Sequence, residues 1–97
     1  VQVVLLSAED FEPWVGRSVR LATVPHPIEV TLLRIARKPL QPGLEREPFV
    51  LYFQSPPDVI LIDATYEMDC GKGGPHNICI SQKRPYTDRR IYEAVFN

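Results

Sequence analysis

Arg89-Arg90-Ile91-Tyr92-Glu93-Ala94-Val95-Phe96-Asn97 is the stretch that decides the fold class. It is rich in β-branched and aromatic residues and has no Gly or Pro, the composition of a strand. Side chains alternate along a strand, so Tyr92, Ala94 and Phe96 share one face. Ile91 and Val95 share the other, with Glu93 between them. A strand that is apolar on both faces needs cover on both. It is expected to be central, or to lie under another surface, and the domain to close on it.

Working outward, Phe49–Gln54 has the same character. Phe49, Leu51 and Phe53 point one way, Val50 and Tyr52 the other, so the two segments are expected to be neighbours in the middle of one sheet. Arg17–Val24 alternates as a half-buried strand, with Val19, Leu21 and Thr23 on one face. Ile28–Arg37 is another strand, but Leu33 and Ile35 continue the apolar pattern of Ile28, Val30 and Leu32 in opposite phase. That slip predicts a β-bulge near Leu32-Leu33 or a crossing from one face to the other. Ala64–Cys70 alternates with Tyr66, Met68 and Cys70 inward, and Asn77–Gln82 places Ile78 and Ile80 on one face. Val59–Ile62 is a short apolar run without decisive alternation, and Val1–Leu6 reads as a leading strand or a packing arm.

Between these runs lie Pro- and Gly-rich breaks: Pro25-His26-Pro27, the long loop Lys38–Pro48, Ser55-Pro56-Pro57-Asp58, Gly71–Pro75 and the Lys83–Asp88 connection. The one helical signal is Ser7 with Asp10 three residues on, followed by Phe11, Trp14 and Val15 at helical spacing, limited by Pro13 and Gly16. The pattern predicts an all-β domain, a six- to seven-stranded antiparallel sandwich or small barrel with one short N-terminal helix. No segment is long enough for a helical crossover, which excludes a parallel sheet.

The 97 residues make one domain, 1–97, with 44% apolar residues. A chain of this size buries a little over roughly 60% of its unfolded surface, enough for one modest core. Eleven basic and twelve acidic residues leave a net charge of −1, so there is no electrostatic reason to expect nucleic acid. No apolar run approaches the roughly 20 residues of a membrane span. Val1–Leu6 lacks the flanks of a signal peptide, so no membrane association and a cytoplasmic location are expected.

Cys70, His76 and Cys79 are the strongest candidates for metal ligands, but their spacing fits no structural-zinc pattern. A hairpin register setting Cys70 opposite Ile78 and Met68 opposite Ile80 turns the two cysteines to opposite faces, which forbids a shared metal or a disulfide. Asp58, Asp63, Glu67 and Asp69 are close in sequence, but Glu67 and Asp69 alternate outward like a solvated face. No nucleophile elbow surrounds Ser81 or Cys79, and Gly71-Lys72-Gly73-Gly74 lacks the order of a phosphate loop. No catalytic, cofactor-binding or metal residue is assigned, and no cofactor is expected.

The residues also resemble a group of small bacterial proteins classed as a domain of unknown function. Asp10-Phe11-Glu12-Pro13-Trp14-Val15-Gly16 is similar to that family's opening Phe-x-Pro-x-Val-Gly. Arg46-Glu47-Pro48-Phe49-Val50-Leu51-Tyr52-Phe53 is similar to its Glu-Pro-Phe-x-Leu-x-Phe strand. Thr65-Tyr66, Met68 and Gly74 follow, and Tyr92–Asn97 is the most specific piece. The chain departs from the pattern at Ala64, where the family has Gly, and at Cys79, where it prefers an aromatic. The resemblance implies encoding near phage-tail-like genes and hence a part in or beside a tail-like particle.

Three functions follow in order. The first is a non-enzymatic structural or adaptor protein that works through protein–protein contacts or self-association, with Trp14, Val50, Tyr52, Ile91 and Val95 as candidate interface residues. The second is a small ligand- or carbohydrate-binding β module using Trp14, Tyr52 or Tyr86, with the Lys38–Pro48 loop as a rim. An enzyme ranks last, because no catalytic constellation is visible.

Overall fold

The alternating segments become six strands: β1 Ser18–Leu21, β2 Ile28–Arg37, β3 Phe49–Gln54, β4 Ala64–Met68, β5 His76–Gln82 and β6 Ile91–Phe96. The computed structural model describes residues 6–44, 47–83 and 90–96. The apolar run over residues 1–5, Tyr86, most of the Lys83–Asp88 connection and both ends of the closing segment, Arg89 and Asn97, lie outside the described residues. The strands close into an antiparallel barrel in the order β1-β2-β3-β6-β5-β4. Two three-stranded meanders, β1–β3 and β4–β6, thus meet along two seams. The β3–β6 seam is the one expected from the two-faced strands: it pairs Phe49 with Phe96 through to Gln54 with Ile91. The β4–β1 seam pairs only Leu21 with Met68.

Closure gives every strand an inner face, which is why alternation reads so clearly in the sequence. Val19, Leu21, Val30, Leu32, Leu51, Phe53, Met68, Ile78, Ile80 and Ala94 fill the interior. The expected bulge exists, as the β2–β3 register shifts between Leu32 and Arg34. Leu32 pairs with Phe53 and Ile35 with Leu51, both inward, and Leu33 is the extra residue, partly exposed on the outside. Leu33 therefore does not carry the apolar phase inward, as its position beside Ile35 had implied.

One end of the barrel, here the lower, is sealed by the N-terminal segment. Pro13 confines it to two 3-10 turns, Ala8–Asp10 and Glu12–Trp14, rather than a regular helix. The Ser7 N–H donates to Asp10 Oδ2 at 2.9 Å, as the capping signal implied. Phe11 is fully buried, its ring 5.8 Å from Phe49 and 5.4 Å from Phe96, which stack on each other at 4.7 Å. Arg37, at the lower end of β2, bridges to Glu9 at 3.0 Å and to Glu12. The Glu9 carboxyl is held below its ordinary value by a backbone hydrogen bond, with Ser7 and Arg37 adding to it.

The β4–β5 hairpin departs from its expected register. Ala64 pairs with Ile80, Tyr66 with Ile78 and Met68 with His76. β4 ends at Met68 because Gly71 and Gly73 take positive φ and spread the turn over Asp69–Pro75. Parity is unchanged, so Cys70 is buried and Cys79 is exposed opposite Thr65, both as free thiols. Val59–Ile62 is not a strand but part of the connection that crosses the upper end from β3 to β4.

Candidate functional site

The crossing connection, residues 55–63, is bound to the barrel by Tyr92. Ser55 ends β3, and its N–H donates to the Arg90 carbonyl at 2.9 Å. Its hydroxyl donates to the Val59 carbonyl at 2.7 Å, so it accepts from the Tyr92 hydroxyl, 3.3 Å away. The Tyr92 hydroxyl accepts in turn from the Leu61 N–H at 2.8 Å. Each hydroxyl both gives and takes one hydrogen bond, so this buried relay is satisfied at every step. It holds Leu61 inward, and the neighbours of Leu61 in the run Ile60-Leu61-Ile62 are left outside.

Those neighbours form the wall of a groove. Ile60, Leu61 and Ile62 face Ala22, Thr23 and Val24 of the β1–β2 connection, with Ile28, Thr65 and Tyr66 completing a depression of about 470 Å³. None of the nine lining residues is charged, in a chain where 24% are. Val24 is 93% exposed, Ile62 76% and Ile60 57%. Scattered exposed apolar residues are ordinary on any surface, whereas these three gather around one uncharged groove. Each wall carries a local hydrogen bond: the Thr23 hydroxyl donates to the His26 carbonyl at 2.7 Å and the Tyr66 hydroxyl to the Ile62 carbonyl at 2.9 Å. Burial, with Tyr92 and Asp63 adding to it, raises the Tyr66 phenol above its ordinary value and keeps it a donor.

Across Ile28 lies a wider depression of about 630 Å³, where Arg20, His26, Glu29 and Asp58 surround Pro27, Pro56 and Val59. Its groups are of both signs. Among the described residues no three of His, Cys, Asp and Glu come together as a metal set. His76 Nε2 donates to the Lys72 carbonyl at 2.9 Å, and Asp63 Oδ1 accepts the Gln82 N–H at 3.0 Å. Both thus hold turns and strand ends. Burial, reinforced by Asp69, pushes the Cys70 thiol up to about 12.

Four of the five residues expected at an interface lie on the outer face of β3 and β6. Val50 pairs with Val95, Tyr52 with Glu93 and Ile91 with Gln54. Val50 is buried, Ile91 is half-buried and Val95 is 53% exposed. The Tyr52 ring lies under the Arg34 guanidinium at 4.1 Å and 5.7 Å from the Lys83 ammonium. Trp14 is on the N-terminal turns, half-buried against the core, with Arg17 5.9 Å from its ring. Sequence reasoning missed Val24, Ile60 and Ile62. Ile60 and Ile62 sit in a run without decisive alternation, and Val24 at the end of the segment Arg17–Val24, expected to be strand throughout, which the structure ends at Leu21.

The profile of a family described as Domain of unknown function (DUF6916) matches residues 6–96. The chain belongs to this family. The DUF6916 match spans both seams of the barrel, the Tyr92 relay and all the groove residues. No curated protein and no solved structure matches the chain. No helix among the described residues is long and apolar enough to cross a membrane.

Proposed function

We propose that this DUF6916 chain is a non-enzymatic structural or adaptor protein that works through protein contacts, with the upper groove as its contact surface. One observation carries the reading: Val24, Ile60 and Ile62 stand exposed around an uncharged groove. Burying each such side chain against a partner stabilises a complex by roughly 1.5–3 kcal/mol. The exposed Val95, paired with Val50 on the outer face of β6 and β3, offers a second, smaller surface. The resemblance to bacterial proteins encoded near phage-tail-like genes extends the proposal to a cytoplasmic component of a tail-like assembly.

The test is purification of the tagged full chain from its native host, beside an Ile62→Lys variant. A stoichiometric partner, or a second copy, that the variant loses is the expected result. A wild-type chain that stays monomeric at high concentration and brings nothing down overturns the reading.

A further inference from the structure

The groove holds a sheet edge that no strand pairs among the described residues, as well as apolar walls. Successive residues of an antiparallel strand aim their backbone groups at alternate neighbours. In β4 the odd-numbered residues face β1, since the Ala22 N–H donates to the Glu67 carbonyl at 2.9 Å and the Asp69 N–H to the Arg20 carbonyl at 3.0 Å. Thr65 has the same parity, so its N–H and C=O point the same way. β1 has already turned aside at that height: the Thr23 N–H bonds back to the Leu21 carbonyl at 2.9 Å, and pairing with β4 stops at Leu21 and Met68. The opening left between hairpin and strand is the groove, with Thr65 on its wall and Val24 and Ile62 at its mouth.

We infer that this groove binds an extended segment of a partner protein by strand addition to β4 at Thr65. This rests on the protein-contact reading above and specifies its mode. A backbone donor and acceptor on one residue, aimed into a cleft, are matched by the backbone of an extended strand. The uncharged lining selects a segment with apolar side chains at alternate positions and no charge between them. A second copy does not supply it through the same site, because in each copy the edge lies within a depression and two depressions do not fill each other.

The test uses the full chain and a display library of short random peptides, with amide hydrogen exchange as a second readout. Selected peptides are expected to alternate apolar residues, and their binding to slow exchange at the Thr65 amide about tenfold or more. Thr65→Pro removes that donor without touching the β4–β5 ladder and is expected to weaken binding about tenfold or more. Ile62→Lys is expected to do the same, and since Ile62 is exposed it leaves the fold intact. Failure to select any alternating peptide, undiminished binding to a folded Thr65→Pro, or Thr65 protection that grows with protein concentration alone overturns strand addition. If the native partner is lost with Ile62→Lys but kept with Thr65→Pro, the contact reading stands and the strand mode falls.

Discussion

The backbone N–H of Leu61 donates to the hydroxyl of Tyr92 at 2.8 Å, across 31 residues of sequence. The closing strand therefore holds down the segment that passes over the barrel's upper end. With Ser55 it sets which of three consecutive apolar residues goes inside.

Tyr92→Phe keeps the ring but leaves the Leu61 N–H without its partner. The expected cost is about 1–3 kcal/mol, the price of an unsatisfied buried donor. Chemical denaturation measures it. Ser55→Ala should cost about 1 kcal/mol, and the double variant less than the sum, because both act on one relay. Full additivity would show that the hydroxyls act separately.

Gly71 and Gly73 both have positive φ, yet they should respond differently to alanine. A Cβ at Gly73 meets nothing within 4 Å, so Gly73→Ala carries only the left-handed backbone cost of about 1–2 kcal/mol. A Cβ at Gly71 would stand 2.7 Å from the Phe11 ring, which is itself fully buried. Gly71→Ala should thus destabilise clearly more in a thermal melt, and Phe11→Ala by about 3–5 kcal/mol.

Leu32 and Leu33 are adjacent but opposite in role. Leu33→Lys should stay within about 0.5 kcal/mol of wild type, and Leu32→Ala should cost about 2–5 kcal/mol. Deleting Leu33 would remove the bulge and leave Leu32 inward, Arg34 outward and Ile35 inward, so the barrel should still form, as circular dichroism would show.

The thiols should separate by reagent and by pH. In the native protein a soluble alkylating agent is expected to label Cys79 and spare Cys70. Burial raises the Cys70 thiol from an ordinary 9.0 to about 12, so the folded state prefers the proton. That preference contributes its full stability below pH 9 and is lost as pH rises from 9 towards 12. Denaturation midpoints should fall over that window more steeply in wild type than in Cys70→Ala.

Strands with one buried face were legible because alternation is a local property, and closure kept it intact from Val19–Leu21 to Tyr92–Phe96. The bulge showed as a phase slip, and the pairing of β3 with β6 as two strands apolar on both sides. Three features are set by tertiary geometry and were not legible. Barrel and sandwich share one alternation. The β4–β5 register depended on the backbone shape of the 69–75 turn. The groove is assembled from Val24, Ile60 and Ile62, which meet only when the crossing segment is in place. Tyr92 could be read as inward, but its hydroxyl's task could not, because its partners, the Leu61 N–H and the Ser55 hydroxyl, lie 31 and 37 residues away in sequence.

The seams are uneven in a way that has a mechanical meaning. Among the described residues, β1, β2, β3 and β6 are laced together along their lengths, and β4 and β5 are laced to each other. Among the described residues the hairpin's strands join the rest through Ser81–Lys83 against Ile91–Glu93 and through Arg20–Ala22 against Glu67–Asp69. By the length of its ladders the barrel is thus a four-strand panel and a two-strand door, closed around one core. A door on two short hinges swings at lower cost than a wall bends, so amides along the joints should exchange before those within either panel. Thr65 stands on the door's free edge.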